Sequence, residues 1–239
     1  MESARMQKEA LLKTYPYRIE LHAHTNPVSG CSEMPPAEMV KRCKDAGAHG
    51  VVVTNHACPW ARDERDHDQW VSYYLNDFHE ATEAGKNLGI QVFLGMEIRF
   101  PETPNDYLVY GVDETMVDRA YDYLNKSLHD FYTDFHGDNC LILQAHPFRN
   151  GMERIDPADV DGYEVFNFHP GHNSRVSVAA DYYATHGGVA TGGTDFHHRG
   201  HEGQVFACFK ELPRTNNDLV RLLREGDYIF VAGNSVLLA

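Results

Sequence analysis

Apolar residues fall along the chain in short runs rich in β-branched and aromatic side chains. They cover residues 18–23 (RIELHA), 50–54 (GVVVT), 91–98 (QVFLGMEI), 106–112 (DYLVYGV), 141–145 (LILQA), 162–167 (GYEVFN), 189–194 (VATGGT), 204–209 (QVFACF) and 228–232 (YIFVA). Runs of this length bounded by turn residues predict strands. Between most of them the period changes to that of a helix. Residues 35–47 place Met39, Cys43 and Ala46 at helical spacing, with Pro36 in the first turn and Gly47 as a stop. Residues 69–89 repeat this with Trp70, Tyr74, Phe78 and Ala81 before Gly89. Further helices are predicted over about 115–128, 173–186 and 215–225, and residues 1–16 form a helical N-terminal extension. Strands alternating with helices predict a parallel α/β sheet, and seven or so such units favour a barrel over an open sheet. A length of 239 residues fits a single domain spanning 1–239.

Polar residues gather where these runs end. His22 and His24 close the first run, Asn55 and His56 the second and Glu97 the third. His146 follows LILQA, Asn167 closes GYEVFN, and Asp195 and His197 follow GGT. Side chains at i and i+2 of a strand share a face, so His22 and His24 sit side by side. In a parallel barrel the C-terminal strand ends converge on one mouth. A single histidine there reads as a satisfied core residue. A whole set of imidazoles and carboxylates resists that explanation, because each unpaired buried polar group costs roughly 1–3 kcal/mol. Nitrogen and carboxylate donors together suit zinc, manganese or iron better than magnesium, which prefers oxygen and keeps its waters.

Composition narrows the picture. The chain has 35 acidic against 21 basic residues, a formal charge of −14. Such a field repels polyanions, so long nucleic acid is disfavoured as a partner and a small substrate favoured. The 15 histidines are spread along the chain instead of bunched as in a tag. Five cysteines, Cys31, Cys43, Cys58, Cys140 and Cys208, form no C-x-x-C pair, which argues against a disulfide framework and a cysteine-based zinc site. No apolar run reaches the length of a membrane span, and the charged N-terminus is unlike a signal peptide. The expectation is a cytoplasmic protein with no membrane partner. Neither G-x-S-x-G, a Walker phosphate loop nor G-x-G-x-x-G occurs.

With LHAHT, TNH, GME, AHP and GGTDFH in that order over about 180 residues, the chain resembles the polymerase and histidinol phosphatase (PHP) family of metal-dependent phosphoesterases. The resemblance implies a distorted, TIM-like (β/α)7 barrel whose mouth holds two or three divalent transition metals (zinc, manganese or iron) and hydrolyses a small phosphorylated substrate. Position by position, it implies His22, His24, Glu97 and Asp195 around a first cation. Glu97 then bridges to a second that His146 also binds, and His56 and His197 serve a third. With the third position empty, His56 or His197 would instead protonate the leaving oxygen. Glu97, Asp195, His56 and His197 are the implied catalytic group.

The chain departs from the family at two points. Where many relatives carry an acid or histidine for the third cation, it has Ser29, Gly30 and Cys31. That leaves two neutral nitrogens, or adds a thiolate from Cys31 that would favour zinc. Where some relatives carry a histidine after the fourth strand, it has YGVDE, and Asp113 is either a substitute ligand or a helix N-cap. Arg149 and Arg175 are candidates for bidentate phosphate contact, against a reading as surface charge; Arg99 is a weaker one. Asn167 is placed near the substrate, orienting a ligand or solvent, and His169 and His172 as pocket lining. Two other functions compete: a metal-dependent amidohydrolase-like enzyme acting on a non-phosphate substrate, and a metal-binding module without catalysis. Against the amidohydrolase, no lysine falls at a strand end to serve as a carboxylated bridge.

Overall fold

The computed structural model describes residues 2–62, 64–155 and 157–239. In chain order the elements are α1 (Glu2–Thr14), β1 (Tyr17–Ala23), α2 (Pro36–Asp45), β2 (Gly50–Val53), β3 (His56–Ala57), α3 (His67–Leu88), β4 (Gln91–Leu94), β5 (Met96–Arg99) and β6 (Asp106–Tyr110). They continue with α4 (Glu114–Ala120), α5 (Leu128–Phe135), β7 (Leu141–Gln144), β8 (Gly162–Asn167), α6 (Val176–His186), β9 (Val189–Gly193), β10 (Phe206–Phe209), α7 (Asn216–Glu225), β11 (Tyr228–Ala232) and β12 (Ser235–Leu237). Single turns of 3-10 helix cover Tyr121–Tyr123 and Pro157–Asp159.

The strands form two six-stranded sheets, ordered β12-β11-β10-β1-β2-β4 and β3-β5-β6-β7-β8-β9. Two seams of backbone hydrogen bonds join them. On one side, Gly95 N donates to Val53 O (2.9 Å) and Glu97 N to Asn55 O (3.0 Å), carrying the β2–β4 pairing into β3–β5. On the other, His24 N donates to Phe196 O and Phe196 N to His22 O, both at 3.0 Å, tying the chain beyond β9 to β1. Gly95 makes the first seam sterically feasible: a Cβ there would lie 2.6 Å from Val52 and 3.2 Å from Val109 O.

Parallel pairing holds for β1–β2–β4 and for β7–β8–β9. It fails at β6, which runs antiparallel to both β5 and β7, and at β10, β11 and β12. The reason at β5–β6 is loop length: residues 100–105 are too few for the crossover of a dozen or so residues that parallel strands need. This reversal brings the start of β6, not its end, to the side where β5 carries Arg99.

Local chemistry sets the helix limits. Asp66 and Gln69 cap α3 reciprocally, and Gly89 ends it with φ 66°. The helix expected over 115–128 instead stops at Ala120, and Ser127 starts α5 through a capping box with Asp130. Arg175, in left-handed backbone with φ 46°, delays α6 to Val176.

Alternation along β1 sends Ile19 and Leu21 into the main apolar core, while Glu20, His22 and the following His24 share the other face. Glu20 is 0% exposed. Its Oε1 accepts from Thr194 N (2.9 Å) and His22 N (3.1 Å), but its Oε2 has no partner. Burial pushes its carboxyl from the usual 4.5 up to about 7, against the pull of these hydrogen bonds. The folded state therefore holds this proton more tightly than the unfolded chain, and the stability linked to it is lost as pH rises from 4.5 through 7. Glu20→Gln keeps an acceptor for both backbone donors. It is expected to match the wild type in thermal melts near pH 4.5 and to exceed it above pH 7, by a gap on the order of 3 kcal/mol. A gap that does not change with pH would contradict the buried-proton account.

Candidate metal centre

The strand ends carry the site. His22 and His24 are fully buried, with their Nε2 atoms 3.0 Å apart. Their neighbours settle which nitrogens carry hydrogen. His22 Nδ1 donates to Glu164 Oε1 at 2.8 Å, since a carboxylate only accepts. His24 Nδ1 faces Ser29 Oγ at 3.1 Å. The Ser29 hydroxyl gives its hydrogen to Asn55 Oδ1 (2.9 Å), and Asn55 is oriented by accepting from Thr25 N on the same oxygen (2.7 Å). Ser29 therefore accepts from His24 Nδ1–H. In the neutral rings both Nε2 atoms are then bare lone pairs aimed at each other, an arrangement that calls for a proton or a cation between them.

Carboxylates surround that point. Asp195 Oδ1 lies 3.4 Å from both Nε2 atoms. Glu97 divides its oxygens: Oε1 is 3.4 Å from His22 Nε2 and 3.1 Å from His146 Nε2, whereas Oε2 is 3.4 Å from His24 Nε2 and 2.9 Å from His56 Nδ1. Among the described residues, three groups have ligand atoms within 4.8 Å of one another: His22, His24 and Asp195; Glu97, Asp106 and His146; and His24, His56 and His197. The seven residues that the resemblance implies as ligands, His22, His24, His56, Glu97, His146, Asp195 and His197, all enter these groups, whereas Asp113 and Cys31 do not. The geometry adds His24 to the group of His56 and His197, and adds Asp106.

Asp106 escaped sequence analysis because ligands were sought at C-terminal strand ends, and β6 runs the other way. Asp113, at its far end, caps α4 by accepting from Met116 N at 2.7 Å. Glu164 was also missed. Besides His22 it accepts from His146 N (2.9 Å) and Asn167 Nδ2 (3.1 Å). A glutamate inside the apolar run GYEVFN was the available signal.

The other candidates divide. Arg149 Nη2 lies 3.2 Å from Asp106 and Nη1 3.9 Å from Asp195, at the edge of the cluster. Arg99 grips Asp106 with two donors. Arg175 instead donates to Phe148 O and the Asn150 side chain. Asn167 faces inward, its amide on Glu164 and its oxygen accepting from Ser174 Oγ at 2.6 Å. The rings of His169 and His172 stack at 4.1 Å, and His169 meets His197 edge-on at 5.7 Å. A cavity of about 440 Å³ opens beside His56 and Cys31, walled by Val28, Trp60, Tyr73 and Arg99.

The electrostatics fit cations. Four buried carboxylates, Glu97, Asp106, Glu164 and Asp195, face two guanidinium groups, Arg99 and Arg149. The balance must come from protons on imidazoles or from bound cations, since unpaired buried charge is prohibitive. Burial disfavours the charged form of His22, yet Glu164, Asp195 and Glu97 outweigh it and hold its pKa well above normal. Burial, with His197 and His56 adding to it, holds His24 well below normal. Burial alone would raise Glu97 and Asp195, but His22 and the neighbouring imidazoles keep both well below the usual carboxylate range. The backbone also bends to the site: His146 (φ 28°) and Asp195 (φ 55°) both adopt left-handed conformations, at about 1–3 kcal/mol each. Packing alone gives no reason for that strain at two clustered polar residues.

No curated protein matches the chain. Among solved structures it is similar to a candidate metal-dependent phosphoesterase from Bifidobacterium adolescentis, at 19% identity over 86% of this chain and 95% of that one, TM-score 0.52. It is similar to an amidohydrolase from Chromobacterium violaceum, at 18% identity over 77% and 89%, TM-score 0.55. A third is PsfC from Pseudomonas syringae, at 15% identity over 91% and 93%, TM-score 0.64. At these identities the likeness is one of fold. The sequence signature of the PHP domain matches residues 20–224, most of the chain and all of the cluster, and the chain belongs to the PHP domain family.

Proposed function

We propose that this chain hydrolyses a small phosphate ester with divalent transition metals held by the cluster. The observation that carries the reading is Glu97, whose two oxygens face different histidines and so join the groups of His22, His24 and His146. A carboxylate so placed can bridge two cations. When bound, such cations bind phosphoryl oxygens as Lewis acids and supply a hydroxide near neutral pH.

The chain's own residues do the rest. His22 and His24 offer Nε2 atoms whose rings are held by hydrogen bonds at Nδ1, His146 offers its Nε2, and Glu97, Asp106 and Asp195 offer carboxylate oxygens. Arg149, at the rim, can reach a phosphoryl oxygen while holding Asp106. With no cation at the group of His24, His56 and His197, His56, a quarter exposed on the cavity side, can give a proton to the leaving oxygen. His197 is its alternate. The cavity receives the leaving group, and the net negative charge of the chain disfavours a long polyanion.

We also infer a closed barrel. β1, β2 with β3, β4 with β5, β6, β7, β8 and β9 make seven staves, and the two hydrogen-bonded seams support closure. Its distortion would follow from β6 running backwards, with β10, β11 and β12 extending outward from β1.

Two outcomes test this reading. Chelation is expected to abolish turnover of phosphate monoesters or diesters, and manganese or zinc to restore it; Glu97→Gln and Asp195→Asn should each lower kcat/KM by orders of magnitude in folded protein. Turnover of amides alone in the same screen would favour the amidohydrolase reading, and full activity of Glu97→Gln would remove the bridge. Separately, Glu164→Gln keeps one acceptor oxygen where two are used, one by the His22 ring and the other by His146 N and the Asn167 amide, so its NH2 must oppose one of these donors. It is expected to weaken metal affinity by about 10–100-fold in competition with a chromophoric chelator. Unchanged affinity would contradict the role of Glu164 in holding His22 and His146 in place.

A further inference from the structure

The cavity beside His56 is set apart by how little hydrogen-bonding capacity its walls retain. No carboxylate lines it. The Tyr73 hydroxyl donates to Pro27 O at 2.6 Å, Val28 N donates to Asp77 at 3.3 Å, and Cys58 O accepts from Ala61 N at 3.1 Å. Arg99 spends Nε and Nη2 on Asp106. The polar groups of the lining thus bond largely to the protein itself. A leaving group rich in hydroxyls would give up its bonds to water here with little in return, and each unmade bond costs affinity.

What the walls offer instead is flat aromatic surface. Trp60 is 58% exposed, the one aromatic ring among the large exposed apolar side chains of the described residues. A lone exposed apolar side chain calls for no explanation, but this one borders the cavity together with Tyr73. Both rings are held: the Arg99 guanidinium lies over Trp60 at 5.1 Å and that of Arg65 over Tyr73 at 3.7 Å. Arg99 is itself fixed by Asp106, so the indole is tied through it to the metal-ligand cluster. The volume of about 440 Å³ suits a small organic group.

We propose that the leaving group is an alcohol bearing a planar aromatic ring, and that Trp60 selects it by stacking. An indole gives a large, rigid face to any planar π system. The inference rests on the phosphoesterase reading and names its substrate class. In the reaction the oxygen of water bonds to phosphorus, the bond from phosphorus to the alcohol oxygen breaks, and the proton that water gives up ends on the departing aromatic alcohol.

Benzyl phosphate and glycerol 3-phosphate test it, because both are esters of primary alcohols and differ chiefly in carrying a ring or hydroxyls. The metal-loaded full chain is expected to prefer benzyl phosphate by about 10-fold or more in kcat/KM. Trp60→Ala should cut that preference about 10-fold, chiefly by raising KM for benzyl phosphate, and Trp60→Phe should restore most of it. A readout free of turnover is acrylamide quenching of tryptophan fluorescence. The chain has two tryptophans, and Trp70 is 1% exposed, so quenching reports Trp60. 2-Phenylethylphosphonate, with CH2 in place of the ester oxygen, should shield it, and propylphosphonate should not. Hydrolysis of both esters with a preference unchanged in Trp60→Ala, or equal quenching with the two phosphonates, would overturn the aromatic site and leave the phosphoesterase standing. Shielding by 2-phenylethylphosphonate without hydrolysis of either ester would support the aromatic site and overturn the phosphoesterase.

Discussion

Two imidazole nitrogens face each other at 3.0 Å in the interior, on residues 0% exposed, and the rest of the structure is arranged around them. Glu164 behind one ring and the Ser29 hydroxyl behind the other take up the Nδ1 hydrogens, so neither ring can relieve the contact by changing tautomer without breaking a buried hydrogen bond. Asp195 and Glu97 close in on the same point. Positive charge is required there, and a divalent cation meets the requirement with fewer buried protons than any arrangement of imidazolium ions.

The fold serves that requirement by linking distant segments. The seam at Gly95 lets one continuous stretch of chain pair first as β4 and then as β5, which delivers Glu97 between β3 and β6. The opposite seam ties Phe196 to His22 and His24 and thereby fixes Asp195 beside them. Asn55 and Asp77 hold the turn after β1: Asn55 accepts from Thr25 N, and Asp77 from the Thr25 hydroxyl and Val28 N. Left-handed backbone at His146 and Asp195 is tolerated because these ties over-determine it.

Much of this was legible in the sequence for a physical reason. Strands of period two placed His22 and His24 on one face, and polar residues ending apolar runs marked the mouth. Most strands and helices lie where the pattern put them, within a few residues. What escaped depended on direction and pairing, which periodicity does not encode. Asp106 stands at the start of its strand, and only the reversal of β6 brings it to Glu97 and His146. Glu164 lies inside an apolar run, where its partner His22 is 142 residues away in sequence. Arg175 was a candidate by proximity to HPGHNS, but its guanidinium holds the loop at Phe148 and Asn150. The sharing of His24 between two groups follows from ring packing against His56 (4.5 Å) and His197 (4.1 Å), a tertiary fact.

The central claim is that cations, not protons, occupy the space among these side chains. Anomalous diffraction from crystals of the purified protein, collected on either side of the zinc and manganese absorption edges, tests it directly. The account predicts peaks beside His22, His24 and Asp195 and among Glu97, Asp106 and His146. Protein soaked in both metals that shows no peak at either position, with His22 and His24 still in contact, would contradict it.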